Sequence, residues 1–183
     1  MEAGRKLTNE RLKAVVEISE VEKGESLLDI GCGSDEFKKT FISYLPDGVK
    51  YTGIDQDKGA DIVWNLEKGL PSLKKKFDVV VISATLEQVE NFKTLLKDAA
   101  NLLKANGRMV IATPCPYRIL RSEYPAHIHS FRKTNIKNLC DILGLKIEKI
   151  TGDAIHIPIL NMVLKTRNSF YSNFFVYRLR KAL

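Results

Sequence analysis

The chain has 183 residues, a net charge of +7, 44% hydrophobic and 28% charged residues, and a pI of about 9.3. That length suits one domain, which buries roughly 70% of its unfolded surface, so a single core suffices and disorder is excluded as the default. The basic balance admits nucleic acid, anionic lipid or an acidic substrate as partner, but most lysines are scattered through helical stretches, which favours a solvated surface.

In chain order, residues 7–20 read as an amphipathic helix, with Leu7, Leu12, Val15, Val16 and Ile18 near helical spacing and Thr8 as its cap. Gly24 marks the next turn. Ser26–Ile30 is a short apolar run followed by Gly31-Cys32-Gly33-Ser34, the pattern of a buried strand that ends in a glycine turn. Glu36–Leu45 suits a helix that stops at Pro46-Asp47-Gly48. Val49–Ile54 and Ala60–Trp64 read as strands, with Gly69-Leu70-Pro71 closing the loop after the second. Phe77–Ile82, apolar except for Asp78, belongs in a sheet covered on both faces.

Asn91–Lys104 has a helical stripe, with Asn106-Gly107 as its C-terminal cap. Arg108–Thr113 is the next strand, stopped by Pro114 and Pro116; Lys74-Lys75-Lys76 falls in the loop before Phe77. Thr134–Leu143 is a helix ended by Gly144, and Leu145–Ile150 a strand. Residues 152–169 have weak periodicity. Asn173–Leu179 reads as a final buried strand; its rival is a basic, aromatic membrane anchor edged by Arg178, Arg180 and Lys181. Alternation of strand and helix argues for a doubly wound, mostly parallel α/β sheet in one domain spanning 1–183.

The cysteines Cys32, Cys115 and Cys140 are odd in number and contain no CxxC, so neither a disulfide framework nor a structural zinc site is indicated. The N-terminus lacks the apolar stretch of a signal peptide, and no apolar run reaches the roughly 18 residues that span a bilayer. A reducing, cytoplasmic setting is the expectation.

Ligands of a doubly wound sheet bind beyond the carboxyl ends of its strands, near the switch in strand order. Three segments converge there. Asp29-Ile30-Gly31-Cys32-Gly33 allows a sharp turn and close backbone approach to a ligand. Asp55, 22 residues after Gly33, ends a strand with a carboxylate able to accept from both ribose hydroxyls of an adenosine. Asn65, in Trp64-Asn65-Leu66-Glu67, offers a side chain to the adenine amino group, with Leu66 or Trp64 over the ring. A nicotinamide dinucleotide shares the adenosine, but its diphosphate wants GxGxxG. Here the turn runs into Asp35 and Glu36, which repel a diphosphate and suit an ammonium or sulfonium.

Taken in order, these segments resemble the class I methyltransferases dependent on S-adenosylmethionine (SAM), especially the small single-domain ones similar to those of quinone and methionine biosynthesis. Ser26–Gly33 resembles their first motif, Tyr51–Asp55 the second, Asn65–Pro71 the adenine loop, Phe77–Val89 the fourth-strand motif and Leu103–Arg108 the turn into the fifth strand, covering roughly residues 10–151. The resemblance implies a seven-stranded sheet with an antiparallel last strand, SAM as cofactor, and methyl transfer, for which a small-molecule acceptor is the leading expectation. It implies that Asp29 holds the methionine end, Gly31 and Gly33 line methionine and ribose with Cys32 between them, Asp55 binds the ribose hydroxyls with Gln56 beside it, Asn65 and Leu66 meet adenine, and the Ser83 carbonyl takes the ammonium. Two positions depart from the pattern: Asp35 stands at the usual third glycine and Gln88 where a histidine is common.

Bases, where the acceptor must lose a proton, are sought after the fifth strand: Tyr117, Tyr124, and His127 with His129, which share one side of an extended segment. Two histidines with no third ligand in view argue against a metal. Basic and aromatic residues of the loop 114–131 and the insert 152–172, namely Tyr117, Arg118, Arg121, Tyr124, Phe131, Arg132, Arg167, Phe170 and Tyr171, are the expected acceptor wall, and an anionic or lipid-like small molecule fits them. RNA or protein as acceptor, peripheral membrane contact, and a scaffold that binds SAM without catalysis are the alternatives.

Overall fold

The computed structural model describes residues 2–116, 127–157, 162–165 and 174–182. A helix, α1 (Glu2–Ser19), precedes β1 (Ser26–Ile30), α2 (Asp35–Ile42), β2 (Lys50–Asp55), β3 (Ile62–Val63) and β4 (Phe77–Ser83). Then come α3 (Phe92–Asn101), β5 (Leu103–Pro114), α4 (Lys133–Ile142), β6 (Leu145–Gly152), β7 (Ala154–Ile157), β8 (Met162–Lys165) and β9 (Phe174–Lys181). Short 3-10 turns follow β3 (Leu66–Lys68) and β4 (Leu86–Gln88).

Seven strands form one sheet in the order β3-β2-β1-β4-β5-β9-β6. β2, β1, β4 and β5 are parallel, and β9 runs antiparallel to both β5 and β6. The mostly parallel seven-stranded sheet with an antiparallel last strand is the one expected. The register aligns the tips: Ile30 sits beside Ile54 and Ile82, and Ile82 beside Ile111.

Strand alternation divides the core into two layers. Leu28, Ile30, Val80, Ile82 and Ile111 pack with Leu95, Leu96 and Ala99 of α3 and Ile136 and Cys140 of α4. Leu27, Val79, Val81, Val110 and Val176 pack with Leu12, Ala14, Val15 and Ile18 of α1 and Phe41 of α2. β1 and β4 are covered on both faces, which is why they read as unbroken apolar runs.

Several boundaries differ from the sequence reading. α1 starts at Glu2, so Thr8 lies inside it rather than capping it. α3 ends at Asn101, and Leu103 joins β5 opposite Phe77 instead of extending the helix. Asn106-Gly107 is therefore not a helix cap. It sits where the β4–β5 register shifts, and a Cβ on Gly107 would come within 3.0 Å of the Phe77 carbonyl oxygen. The weakly periodic stretch after Gly152 contains the hairpin β7–β8, a separate two-stranded sheet.

β9 is buried between two strands, and Arg178 pairs with Glu20 at 2.6 Å and Glu148 at 3.0 Å. That placement replaces the membrane-anchor alternative for this segment. Among the described residues no helix is long and apolar enough to cross a membrane. Arg108, also buried, pairs with Glu25 and donates to the Ser19 and Glu20 carbonyls, pinning the end of α1 to β5.

Candidate active site

The strand order reverses between β1 and β4, and a cavity of about 810 Å³ opens at their carboxyl ends. That volume lies in the range of small-molecule sites. The cofactor candidates Asp29, Gly31, Cys32, Gly33, Asp55, Gln56, Asn65, Leu66 and Ser83 all line it.

The glycine turn is fixed from two sides. The Gly31 and Cys32 amides both donate to the Ile54 carbonyl, at 2.8 and 3.2 Å. Gly31 has φ +80°, and a Cβ there would stand 2.1 Å from Thr85 Oγ1. Thr85 Oγ1 in turn lies within hydrogen-bond distance of the Ile30 and Ser83 carbonyls, joining the tips of β1 and β4. Gly31→Ala is therefore expected to destabilise the protein by more than about 2 kcal/mol, from left-handed strain plus the clash. Gly24→Ala, with φ +87° and nothing within 4 Å, carries the strain alone. Urea unfolding of both variants checks the difference, and equal midpoints would rule out the close approach.

Asp55 ends β2. Its Oδ2 accepts from the Gly33 amide at 2.8 Å and its Oδ1 from the Asp57 amide at 3.0 Å. One carboxylate thus ties the first glycine turn to the second strand and still borders the cavity. In the loop after β3, Asn65 Oδ1 accepts from the Glu67 amide at 2.9 Å and caps the 3-10 turn. The Trp64 indole donates to the Gly69 carbonyl and its ring packs on the core, leaving Leu66 as the apolar cover on the cavity wall.

Asp29 is buried at the cavity floor, where the Tyr51 hydroxyl donates to it at 2.9 Å. Burial, and then the nearby Asp55 charge, push its carboxyl up to about 7. Burial likewise raises Cys32 to about 12, so its thiol is no nucleophile at neutral pH.

Asp35 is half exposed, pairs with Lys39 at 2.5 Å, and does not line the cavity. The close backbone approach belongs instead to Gly59, where a Cβ would lie 2.6 Å from the Asp35 amide nitrogen. Gln88 does line the cavity, and its side-chain amide donates to the Ala84 carbonyl at 2.6 Å.

The two histidines part company. His127 lines the cavity, with Nε2 3.9 Å from Glu87 Oε1. His129 packs its ring edge-on to Phe92, centroids 4.8 Å apart, with Nε2 3.2 Å from the Glu90 carbonyl. Of the expected acceptor wall, Phe131 is instead buried in the core with its ring edge-on to Phe92, Arg132 caps α4, and neither lines the cavity, because the segment turns into α4 there. Tyr117, Tyr124, Arg118, Arg121, Arg167, Phe170 and Tyr171 lie outside the described residues.

The roof of the cavity was not among the residues expected from the sequence. Leu7, Thr8, Arg11 and Leu12 of α1, with Phe37 and Phe41 of α2 and Phe174 of β9, close the cavity, and the Arg11 guanidinium lies 4.8 Å from the centre of the Phe174 ring. The i, i+4 pairs Leu7/Arg11 and Thr8/Leu12 mark one face of α1. What that face covers depends on how the helix meets the sheet.

A methyltransferase-domain family model matches residues 4–150, across both glycine turn and cavity. The chain belongs to that methyltransferase-domain family. A demethylmenaquinone methyltransferase from Tropheryma whipplei is 31% identical over 112 residues, 54% of this chain and 46% of that protein. A ubiquinone biosynthesis O-methyltransferase from Pelagibacter ubique is 28% identical over 181 residues, 83% of this chain and 73% of that protein. The methyltransferase domain spans about half the length of the first of these relatives. Among solved structures, the CcbJ methyltransferase of Streptomyces caelestis superposes with a TM-score of 0.72 at 12% identity, covering 96% of this chain and 90% of that one. A Burkholderia thailandensis 1,6-didemethyltoxoflavin-N1-methyltransferase, solved with S-adenosylhomocysteine (SAH), superposes with a TM-score of 0.65 at 14% identity, covering 96% and 79%. These last two show the shared fold of the methyltransferase domain.

Proposed function

We propose that this methyltransferase domain binds SAM in the cavity at the β1–β4 switch point and methylates a small-molecule acceptor. The observation that carries the reading is Asp55: a carboxylate on the cavity wall, hydrogen-bonded to the Gly33 amide, where ribose hydroxyls would be chelated. The donor set fits the cofactor. Asp29, Asp55 and Glu67 give the cavity an acidic wall suited to an ammonium and a sulfonium. Gly31 and Gly33 leave backbone room for the methionine chain, the Ser83 carbonyl sits at the tip of β4 for the ammonium, and Asn65 and Leu66 flank the adenine end.

Bound SAM supplies an electrophilic methyl on sulfur. The chain's own residues orient, exclude water and hold protons. Phe37, Phe41 and Phe174 give the acceptor side an aromatic, apolar lining, and Arg11 beside Phe174 adds a cation. An apolar or aromatic acceptor with an anionic group fits that chemistry, and the quinone-biosynthesis names of the relatives point the same way. His127, at the cavity edge, is the base for an acceptor that must lose a proton.

Titration calorimetry with SAM and SAH tests the cofactor, with micromolar binding of both expected. No heat at millimolar ligand refutes the reading. Tritiated methyl transfer to metabolite and RNA pools then tests the acceptor, and label in RNA overturns the small-molecule assignment.

A further inference from the structure

The 3-10 turn after β4 carries a carboxylate that cofactor binding does not use. Glu87 is fully buried, and such a group is costly to desolvate unless its surroundings engage it. Its backbone carbonyl accepts from the Ile128 amide at 2.8 Å and the His129 amide at 3.0 Å. Those two bonds clamp the histidine segment onto the turn. His127 is thereby held at the cavity edge with Nε2 3.9 Å from Glu87 Oε1. That is an ion-pair distance rather than a hydrogen bond, so the carboxylate acts chiefly on the protonated imidazole.

Resting on the SAM reading above, we infer that Glu87 is a positioning residue that makes His127 the proton acceptor of the cavity. Nε2 faces the carboxylate across 3.9 Å, and the neutral imidazole, open to the cavity, takes the acceptor's proton. In that step the acceptor's O–H bond breaks, its electron pair stays on oxygen, and the proton moves to the free ring nitrogen of the imidazole. The oxygen then bonds to the methyl carbon as the carbon–sulfur bond breaks with its pair on sulfur. The imidazolium is left beside the Glu87 carboxylate, which stabilises it. The acceptor class that needs this device carries a hydroxyl. Gln88, without an acid–base function, does not replace it.

Other charged groups on the cavity wall are Arg11, Asp29, Asp55 and Glu67, with His129 on the same segment and Glu90 next to His129. Glu87 is the one placed in ion-pair range of His127 among the pairs seen in the described residues.

The test is an NMR titration of the imidazole nitrogens in the full chain, free and with SAM or SAH. In the wild type, His127 is expected to titrate above the ordinary value of about 6.5. Glu87→Gln should lower its proton affinity about tenfold and leave His129 unmoved. SAM, whose sulfonium is positive, should lower the affinity at least threefold relative to neutral SAH, which a merely structural pairing remote from the methyl would not do. The inference is overturned if His127 titrates alike in wild type and Glu87→Gln, or alike with SAM and SAH. If Glu87→Gln does not fold, the wild-type midpoint and its SAM–SAH difference decide. Absence of SAH binding sinks the cofactor reading instead, while the free-protein titration still reports on the pair.

Discussion

Asp55→Ala is expected to weaken SAM and SAH binding at least about 100-fold while the protein still folds. On the proposed SAM reading the carboxylate makes two charge-assisted hydrogen bonds to a ribose, each worth roughly 1.5–3 kcal/mol, so losing both corresponds to between about 100-fold and about 20,000-fold. It also accepts from the Gly33 and Asp57 amides, so the alanine variant loosens the glycine turn as well as removing the sugar contact. Asp55→Asn separates the two. The amide keeps one acceptor oxygen for Gly33 but loses the charge, and should weaken binding about tenfold, between wild type and alanine. Calorimetry on all three proteins, with circular dichroism as the folding control, gives the order. Unchanged affinity in Asp55→Ala would refute the ribose assignment, because no other carboxylate bridges the first turn and the end of β2 among the described residues.

The part of this site that could be read from sequence is the part built by single strands and the turns that follow them. β1, β2 and β4 announce themselves through apolar runs, and their ends bring Gly31, Gly33, Asp55 and Ser83 to one cavity because parallel register aligns strand tips. Boundaries failed where a residue satisfies two patterns. Leu102 and Leu103 continue the stripe of α3, yet Leu103 pairs with Phe77 and begins β5. Asn106-Gly107 has the composition of a helix cap, but the glycine is there because two carbonyls of β4 pass within about 3 Å of any Cβ. Only the pairing reveals that.

The roof of the cavity was illegible for a similar reason. Arg11 is one basic residue among several on an amphipathic helix, and nothing local says that its face rests over strand tips against Phe174. The departure at Asp35 also reads differently in three dimensions. A carboxylate in place of a third glycine suggests an obstructed turn. In the structure Asp35 points to Lys39 at the surface, and Gly59 gives the room. The paired histidines show the limit of periodicity. Alternation puts them on one side of an extended segment, but the clamp on the Glu87 carbonyl sends His127 to the cavity and His129 to the Phe92 ring.

Asp29 gives the other large expected effect, in which stability and binding move in opposite directions. Its carboxyl titrates at about 7 in the fold because burial, then the Asp55 charge, disfavour the ionised form. The unfolded chain has the ordinary value of 3.8. Below pH 4 both states hold the proton. Between pH 4 and 7 the unfolded state has released it and the folded state has not, so rising pH favours unfolding, and the loss is complete above about 7. Asp153, raised by burial to about 6, adds a slope of the same sign. Asp29→Asn removes only the first contribution and should stabilise the ligand-free protein by roughly 2–4 kcal/mol at pH 8, with little change at pH 4. Binding runs the other way. A ligand with a sulfonium and an ammonium favours the ionised carboxylate, so SAM uptake expels the Asp29 proton. Wild-type affinity for SAM should therefore climb up to tenfold per pH unit from 5.5 to 7 and level off above, with a shallower climb for SAH. In Asp29→Asn the slope should vanish and the affinity at pH 8 fall at least about tenfold, the loss of one charged contact. Urea unfolding at pH 4 and 8 and calorimetry across pH 5.5–8.5 measure both halves. A variant that gains no stability at pH 8, or one that keeps the wild-type slope for SAM, would remove Asp29 from the methionine end of the site.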